Sequence, residues 1–111
     1  MFMVLATIRM NIPRKKRDEA VKILKSVAQQ CRVHPGCLGC NLYDDVQEAQ
    51  VLLYEEMWKN EEDLERHLRS ERYRDVLLVM EMALQHPEVR FNTVSASTGF
   101  ETIEKARSFA Y

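Results

Sequence analysis

The stretch "HPGCLGCNLYDD", His34 to Asp45, can be read in two ways, and the fold follows from the choice. As a loop it would present Cys37 and Cys40 in the C-x-x-C spacing shared by zinc sites and thiol oxidoreductases. As a strand entered through a "HPG" turn, it would send two cysteines three residues apart to opposite faces. Their Cα atoms would then stand roughly 10 Å apart, at about 3.3 Å per residue. Two thiolates on one zinc need sulfurs roughly 4 Å apart. No second C-x-x-C or nearby histidine pair completes a ligand set, and no helix follows to lower a thiol pKa. The strand reading is therefore preferred. It expects Cys37 and Cys40 neither to chelate nor to bridge, Gly36 to relax the backbone of the turn, and Gly39 to leave room for a close neighbour.

Outward from that strand, the hydrophobic period sets the other elements. In "MVLATIRMNI" the residues Val4, Ala6, Ile8, Met10 and Ile12 share one parity, the mark of a strand, and Pro13 ends it. From Arg14 the period lengthens. Ala20, Val21, Leu24, Val27, Ala28 and Cys31 form the stripe of an amphipathic helix that "HPG" terminates. "QVLLYEEMW" reads as a third strand, joined to "CLGCNLYD" by the polar hairpin loop "DVQEA". Asn60 is placed to cap a short helix with Asp63 in the reciprocal position, and Leu64, His67 and Leu68 mark its inner face. Ser70 is expected to cap a further helix with the stripe Tyr73, Val76, Leu77, Met80 and Leu84. Leu78, Val79 and Met82 leave that helix apolar nearly all round. "PEVRFNTVSA" supplies a fourth strand.

The order strand, helix, strand, strand, helix, strand is the ferredoxin-like split βαβ arrangement of the α+β class, a four-stranded antiparallel sheet with its helices on one face. Such a sheet leaves its second face bare, yet the strands carry apolar residues on both parities. A second sheet from an identical chain would bury them, so a homodimer is expected. Residues 1–98 form this domain, and residues 99–111 a tail. The tail is read as a short helix docked by Phe100, Ile103 and Phe109, on the partner subunit if not on its own.

Composition narrows the partners. The chain has 111 residues, 46% of them hydrophobic and 30% charged, which suits one folded domain. A formal net charge of -1 gives no overall field for nucleic acid or an anionic membrane, and "RKKR" at Arg14–Arg17 reads as a solvated helix start. The N-terminal apolar run is interrupted by Arg9 and follows no basic leader, so neither export nor a membrane span is expected. Three cysteines, an odd number, fit reduced thiols in the cytoplasm.

"HPGCLGCNLYDD" followed by "VLLYEEMWKNEEDLERHLRSERYRDVL" resembles the antibiotic-biosynthesis monooxygenase family of dimeric α+β barrels. Members of that family read G-C-L-x-Y-x-L-Y-x-D, then L-L-Y-E-x-W-x-S-x-E-x-L-x-x-H-L-x-S-x-H-F. The resemblance covers roughly residues 3 to 95. It places Trp58 and His67 on the family's tryptophan and helix histidine, and Tyr73 on its aromatic. Cys40 stands where Tyr is frequent, and Arg72 where His is frequent. The family includes cofactor-free oxygenases of quinols and polyketides as well as haem-degrading enzymes. The haem reading is disfavoured, because the implied haem-contacting positions fall on Ile8 and Leu77, and His67 takes the place of a helix tryptophan.

Two functions are weighed. The first is a cofactor-independent monooxygenase that brings a small phenol or quinol together with O2. His67 would accept or donate a proton, Trp58 would supply a wall or an N–H donor, and Tyr73 a second polar contact. No nucleotide, acyl-enzyme or zinc-hydrolase motif is present, so no cofactor and no metal are expected. The second is a non-catalytic dimeric ligand-binding or stress-related module, for which His67 and Trp58 are packing residues and the space around His67 is filled. A cavity reaching both residues would favour the first.

Overall fold

Parity and stripe decide where each element lies. In the computed structural model, which describes residues 2–108, the first strand, β1, runs Met3–Asn11. The long helix α1 covers Arg14–Arg32, and the hairpin strands β2 and β3 cover Cys37–Asp44 and Val51–Trp58. Two short helices follow, α2 at Glu61–Leu68 and α3 at Tyr73–Glu81, then β4 at Glu88–Val94 and α4 at Phe100–Arg107. The four strands form one antiparallel sheet in the order β2-β3-β1-β4. This is the ferredoxin-like α+β arrangement expected from the pattern. Val4, Ala6, Ile8 and Met10 face the helices and are buried, as are Ala20, Leu24, Val27, Ala28 and Cys31 of the α1 stripe. No described helix is long and apolar enough to cross a membrane.

The strand reading of Cys37–Asp44 is correct in extent and wrong in parity. A bulge at Leu38 adds one residue to β2, so Cys37 lies opposite Trp58 and Cys40 opposite Glu56. Both partners point inward, and both cysteines therefore occupy the helix-facing side. One extra residue reverses a period of two, which is what a bulge does. The three cysteines are free, and the Cys37 thiol donates to the carbonyl of Gly39 rather than meeting Cys40.

The two glycines also exchange roles. At Gly36 an added Cβ would collide with the side chain of Asp63 at the start of α2, whereas at Gly39 the space is nearly open. Neither has a positive φ. Gly36 thus lets the turn lie against α2, and its carbonyl accepts from the Lys59 amide at 2.8 Å. Gly36→Ala is expected to cost about 1–3 kcal/mol through overpacking, while Gly39→Ala should be near neutral. Urea unfolding of the two variants measures the difference.

Asn60 caps α2, its Oδ1 accepting from the Asp63 amide at 2.8 Å, but Asp63 turns to Arg66 instead of closing the box. Ser70 does not cap α3. Its hydroxyl donates to the His67 carbonyl, and the α3 N-cap position is Arg72. The buried side of α3 is Tyr73, Val76 and Val79, while Leu77, Leu78 and Leu84 are exposed, which moves the stripe off Leu77 and Leu84. Beyond β4 the tail does form a helix, α4, but none of its residues is buried on this subunit, and Phe100 and Ile103 face outward. The proposed anchor Phe109 lies outside the described residues.

Candidate functional site

Five elements bring their inward side chains to one place beneath the helices. From β3 come Tyr54, Glu56 and Trp58, set by alternation on the helix-facing side. His67 descends from α2, Tyr73 from the first turn of α3, Cys31 from the last turn of α1, and Cys40 from β2. Each of these side chains belongs to a residue less than a tenth exposed. The three residues singled out from sequence are thus neighbours. The Trp58 and His67 rings lie 4.8 Å apart at 31°, and the His67 and Tyr73 rings meet edge-on at 5.3 Å.

The centre of the cluster is a residue that sequence reasoning passed over. The Glu56 carboxylate is 2% exposed and accepts three hydrogen bonds. Its Oε1 accepts from Trp58 Nε1 at 3.0 Å. Its Oε2 accepts from the Tyr54 hydroxyl at 2.7 Å and from His67 Nε2 at 2.8 Å. Cys31 Sγ lies 3.5 Å from the same Nε2, and Cys40 Sγ donates to the Tyr54 hydroxyl at 3.1 Å. A carboxylate at this depth is tolerable only because its lone pairs are occupied and a cation stands beside it. The signal was present in "YEEMW": Glu56 shares the parity of Tyr54 and Trp58, so a strand that buries those two buries the glutamate as well.

The electrostatics follow from this wiring. Burial works against the His67 imidazolium, but the hydrogen bonds to Cys31 and Glu56 and the Glu56 charge outweigh it. The imidazole pKa is pushed up to about 9. Burial likewise works against the Glu56 carboxylate, and the His67 hydrogen bond and charge, with the Trp58 and Tyr54 donors, hold it below the ordinary glutamate value. The pair is therefore ionised at neutral pH. Burial and the nearby Glu56 charge push the Tyr54 and Tyr73 phenols far up, keeping them neutral donors. Contact with Cys40 and burial do the same for the Cys31 thiol. The neutral imidazole base expected near pH 7 is thus replaced by an imidazolium, which can donate a proton and stabilise an anion.

A narrow apolar cleft leads to Glu56, lined by Ala6, Ile8, Tyr54, Glu56, Tyr73 and Phe91 among others. In this conformation it does not admit a water molecule. Its outer lip is open, because the helices do not cover β4 and leave Val89 and Phe91 partly exposed. The cleft reaches Glu56 and Tyr73 but is not lined by His67 or Trp58, which lie behind Glu56. A larger groove of about 440 Å³, beside Met3, Leu38, Lys59 and Val94, shares no residue with the cluster.

Known proteins place this fold. The family model for antibiotic biosynthesis monooxygenase matches residues 1–77, a span that includes Glu56, Trp58, His67 and Tyr73. Among solved structures, a conserved protein from Methanosarcina mazei Go1 superposes with a TM-score of 0.77 at 22% identity, over 83% of this chain and 92% of its own. A structure described as an antibiotic biosynthesis monooxygenase gives 0.71 at 21% identity, over 88% of this chain and all of its own. The Rv0793 protein of Mycobacterium tuberculosis gives 0.72 at 18%, over 88% and 98%. These likenesses establish the fold. A curated relative, the uncharacterized protein sll1783 of Synechocystis, is 27% identical over 55 residues, which is 50% of this chain but only 37% of that protein. With the family model covering more than two thirds of its length, the chain belongs to the antibiotic biosynthesis monooxygenase family.

Proposed function

We propose that the protein is a cofactor-independent monooxygenase of small phenolic or quinol-type substrates, bound from the open outer lip of the cleft between β1, β4 and α3, which must widen to take a ring. The observation that carries this reading is the ionised Glu56–His67 pair at the base of an apolar cleft. A ring with an electron-rich hydroxyl would lie against Phe91, Val89 and Tyr73, its oxygen towards Glu56 and Tyr54. The Glu56 carboxylate, which lines the cleft, would accept the substrate's hydroxyl proton and return it to reduced oxygen, while the His67 imidazolium beside it would offset the charge left on the substrate anion. For a phenol whose keto tautomer carries a ring CH2 group, oxidation of that group to a carbonyl supplies all four electrons that O2 requires. Oxidation of a quinol to a hydroxyquinone supplies the same four. One oxygen atom enters the product and the other leaves as water, so no external reductant is needed.

The test is oxygen uptake with a hydroquinone or anthrone-type substrate and no added flavin, haem or metal. One O2 consumed per substrate, with conversion to the new ring carbonyl for the anthrone type or to the hydroxyquinone for the hydroquinone, supports the reading. Inertness of the wild-type protein towards such substrates turns attention to the second reading, a dimeric binding module. One observation favours that alternative: around His67 the polar atoms already satisfy one another, and the cleft admits no water.

A homodimer is part of the same proposal. Met3, Leu5, Leu53, Met57 and Tyr43 lie on the sheet face turned away from the helices, and all are partly or largely exposed. Light scattering coupled to size exclusion is expected to return twice the 13.1 kDa chain mass. A monomer at micromolar concentration contradicts the second sheet.

A further inference from the structure

We propose that Cys31, Glu56 and His67 form a binding site for a single divalent d-block cation of the zinc type. The three residues come from α1, β3 and α2, and one donor atom from each lies within 4.8 Å of the other two. This inference rests on the placement of side chains and not on the oxygenase reading.

The spacing suits such an ion. With Zn–S near 2.3 Å and Zn–N near 2.0–2.1 Å, a tetrahedral ion holds its sulfur and nitrogen ligands about 3.6 Å apart. Cys31 Sγ and His67 Nε2 stand at 3.5 Å. The carboxylate needs more adjustment. Glu56 Oε2 is 2.8 Å from Nε2 in the hydrogen-bonded pair, and a shared ion would require about 3.3 Å, so the carboxylate must withdraw by roughly half an ångström. A thiolate, an imidazole and a single carboxylate select zinc or cobalt over calcium or magnesium, which need a shell of oxygen ligands. One thiolate and one carboxylate also neutralise a divalent ion, so the buried site would carry no net charge. The surroundings can hold the ligands in place, because Trp58 Nε1 anchors the second carboxylate oxygen and the Tyr54 hydroxyl supports the first. Cys40 touches Cys31 and donates to the Tyr54 hydroxyl, which packs the ligand set from the β2 side.

An ion there would displace the proton shared by His67 and Glu56, so it would silence the proton chemistry proposed above. Entry must be slow. Cys31, Glu56 and His67 are all under 5% exposed, so an ion needs local opening of the elements around them to enter.

Cobalt(II) is the probe, added to the reduced wild-type protein with urea below the unfolding transition, until the absorbance is constant. The expected result is one equivalent bound, with a thiolate-to-cobalt charge-transfer band and the intense visible bands of tetrahedral cobalt. Zinc should displace it. Cys31→Ser should abolish the charge-transfer band, and Cys37→Ser should leave it intact. His67→Gln, which preserves much of the side-chain volume, should weaken binding at least tenfold, and this holds the assignment open to test if Cys31→Ser fails to fold. The absence of a saturable charge-transfer band in the wild-type protein overturns the proposal. A band that survives Cys31→Ser but is lost in Cys37→Ser overturns it equally.

Discussion

Glu56→Gln is expected to destabilise the protein by about 3–5 kcal/mol, the usual cost of removing one member of a buried, hydrogen-bonded ion pair. The mutation leaves His67 facing a neutral amide at a site from which water is excluded. Since whole domains are stable by only about 5–15 kcal/mol, the loss should be visible directly in urea unfolding. Its pH dependence identifies the cause. The His67 pKa is raised from 6.5 to about 9, so its contribution is complete below 6.5 and is lost as the pH rises through 9. A rise of that size corresponds to roughly 3 kcal/mol. The Glu56 pKa is lowered from 4.5, so its contribution is present above 4.5 and is lost as the pH falls through the lower folded value. Wild-type stability should therefore be greatest between about 4.5 and 6.5. In Glu56→Gln both of these pH-dependent losses should largely disappear, because the pair that titrates no longer exists. A wild-type stability that does not change between pH 6 and pH 10 would rule out the ionised pair.

His67→Ala should reduce turnover of a phenolic substrate by ~10²–10⁴-fold, the range typical of one positioned acid or base. If the proposed active form, the imidazolium, is correct, wild-type activity should fall as the pH rises through about 9, whereas a neutral base would become more active there. Trp58→Phe removes the donor to Glu56 Oε1 and trims the buried ring that stacks on His67. It should alter KM and the pH profile more than kcat. If His67→Ala lowers the melting temperature and leaves kcat unchanged, the histidine is a packing residue and the binding-module reading takes precedence.

How far the residues announced this arrangement depends on the kind of signal each element carries. Alternation in "MVLATIRMNI" and the three-and-four spacing from Ala20 to Cys31 are long, unbroken periods, and both elements formed as read. The inner face of β2 was misread because parity arguments assume one residue per step. The bulge at Leu38 adds a residue that hydrophobicity does not mark. On α3 nearly every position is apolar, so composition could not say which side is buried, and the register of Val79 rather than Leu77 was set by packing. The family pattern singled out His67, Trp58 and Tyr73, whose rings lie side by side in the fold, yet their surroundings depend on Glu56. Charge normally argues for exposure, and that prior concealed the one acidic side chain that the strand's own alternation carried inside.

The stacking of Trp58 on His67, with ring centres 4.8 Å apart, has an optical consequence. The chain contains a single tryptophan, so the emission excited beyond the tyrosine absorption band comes from one indole in one environment. A protonated imidazole in contact with an excited indole accepts an electron and quenches it, whereas the neutral ring does so poorly. The native protein should therefore be dim at neutral pH and brighten as the solution passes through about pH 9, where the imidazole loses its proton. Glu56→Gln should be bright already at pH 7. The molecule thus carries its own spectroscopic indicator of the charge on His67, readable without label or substrate.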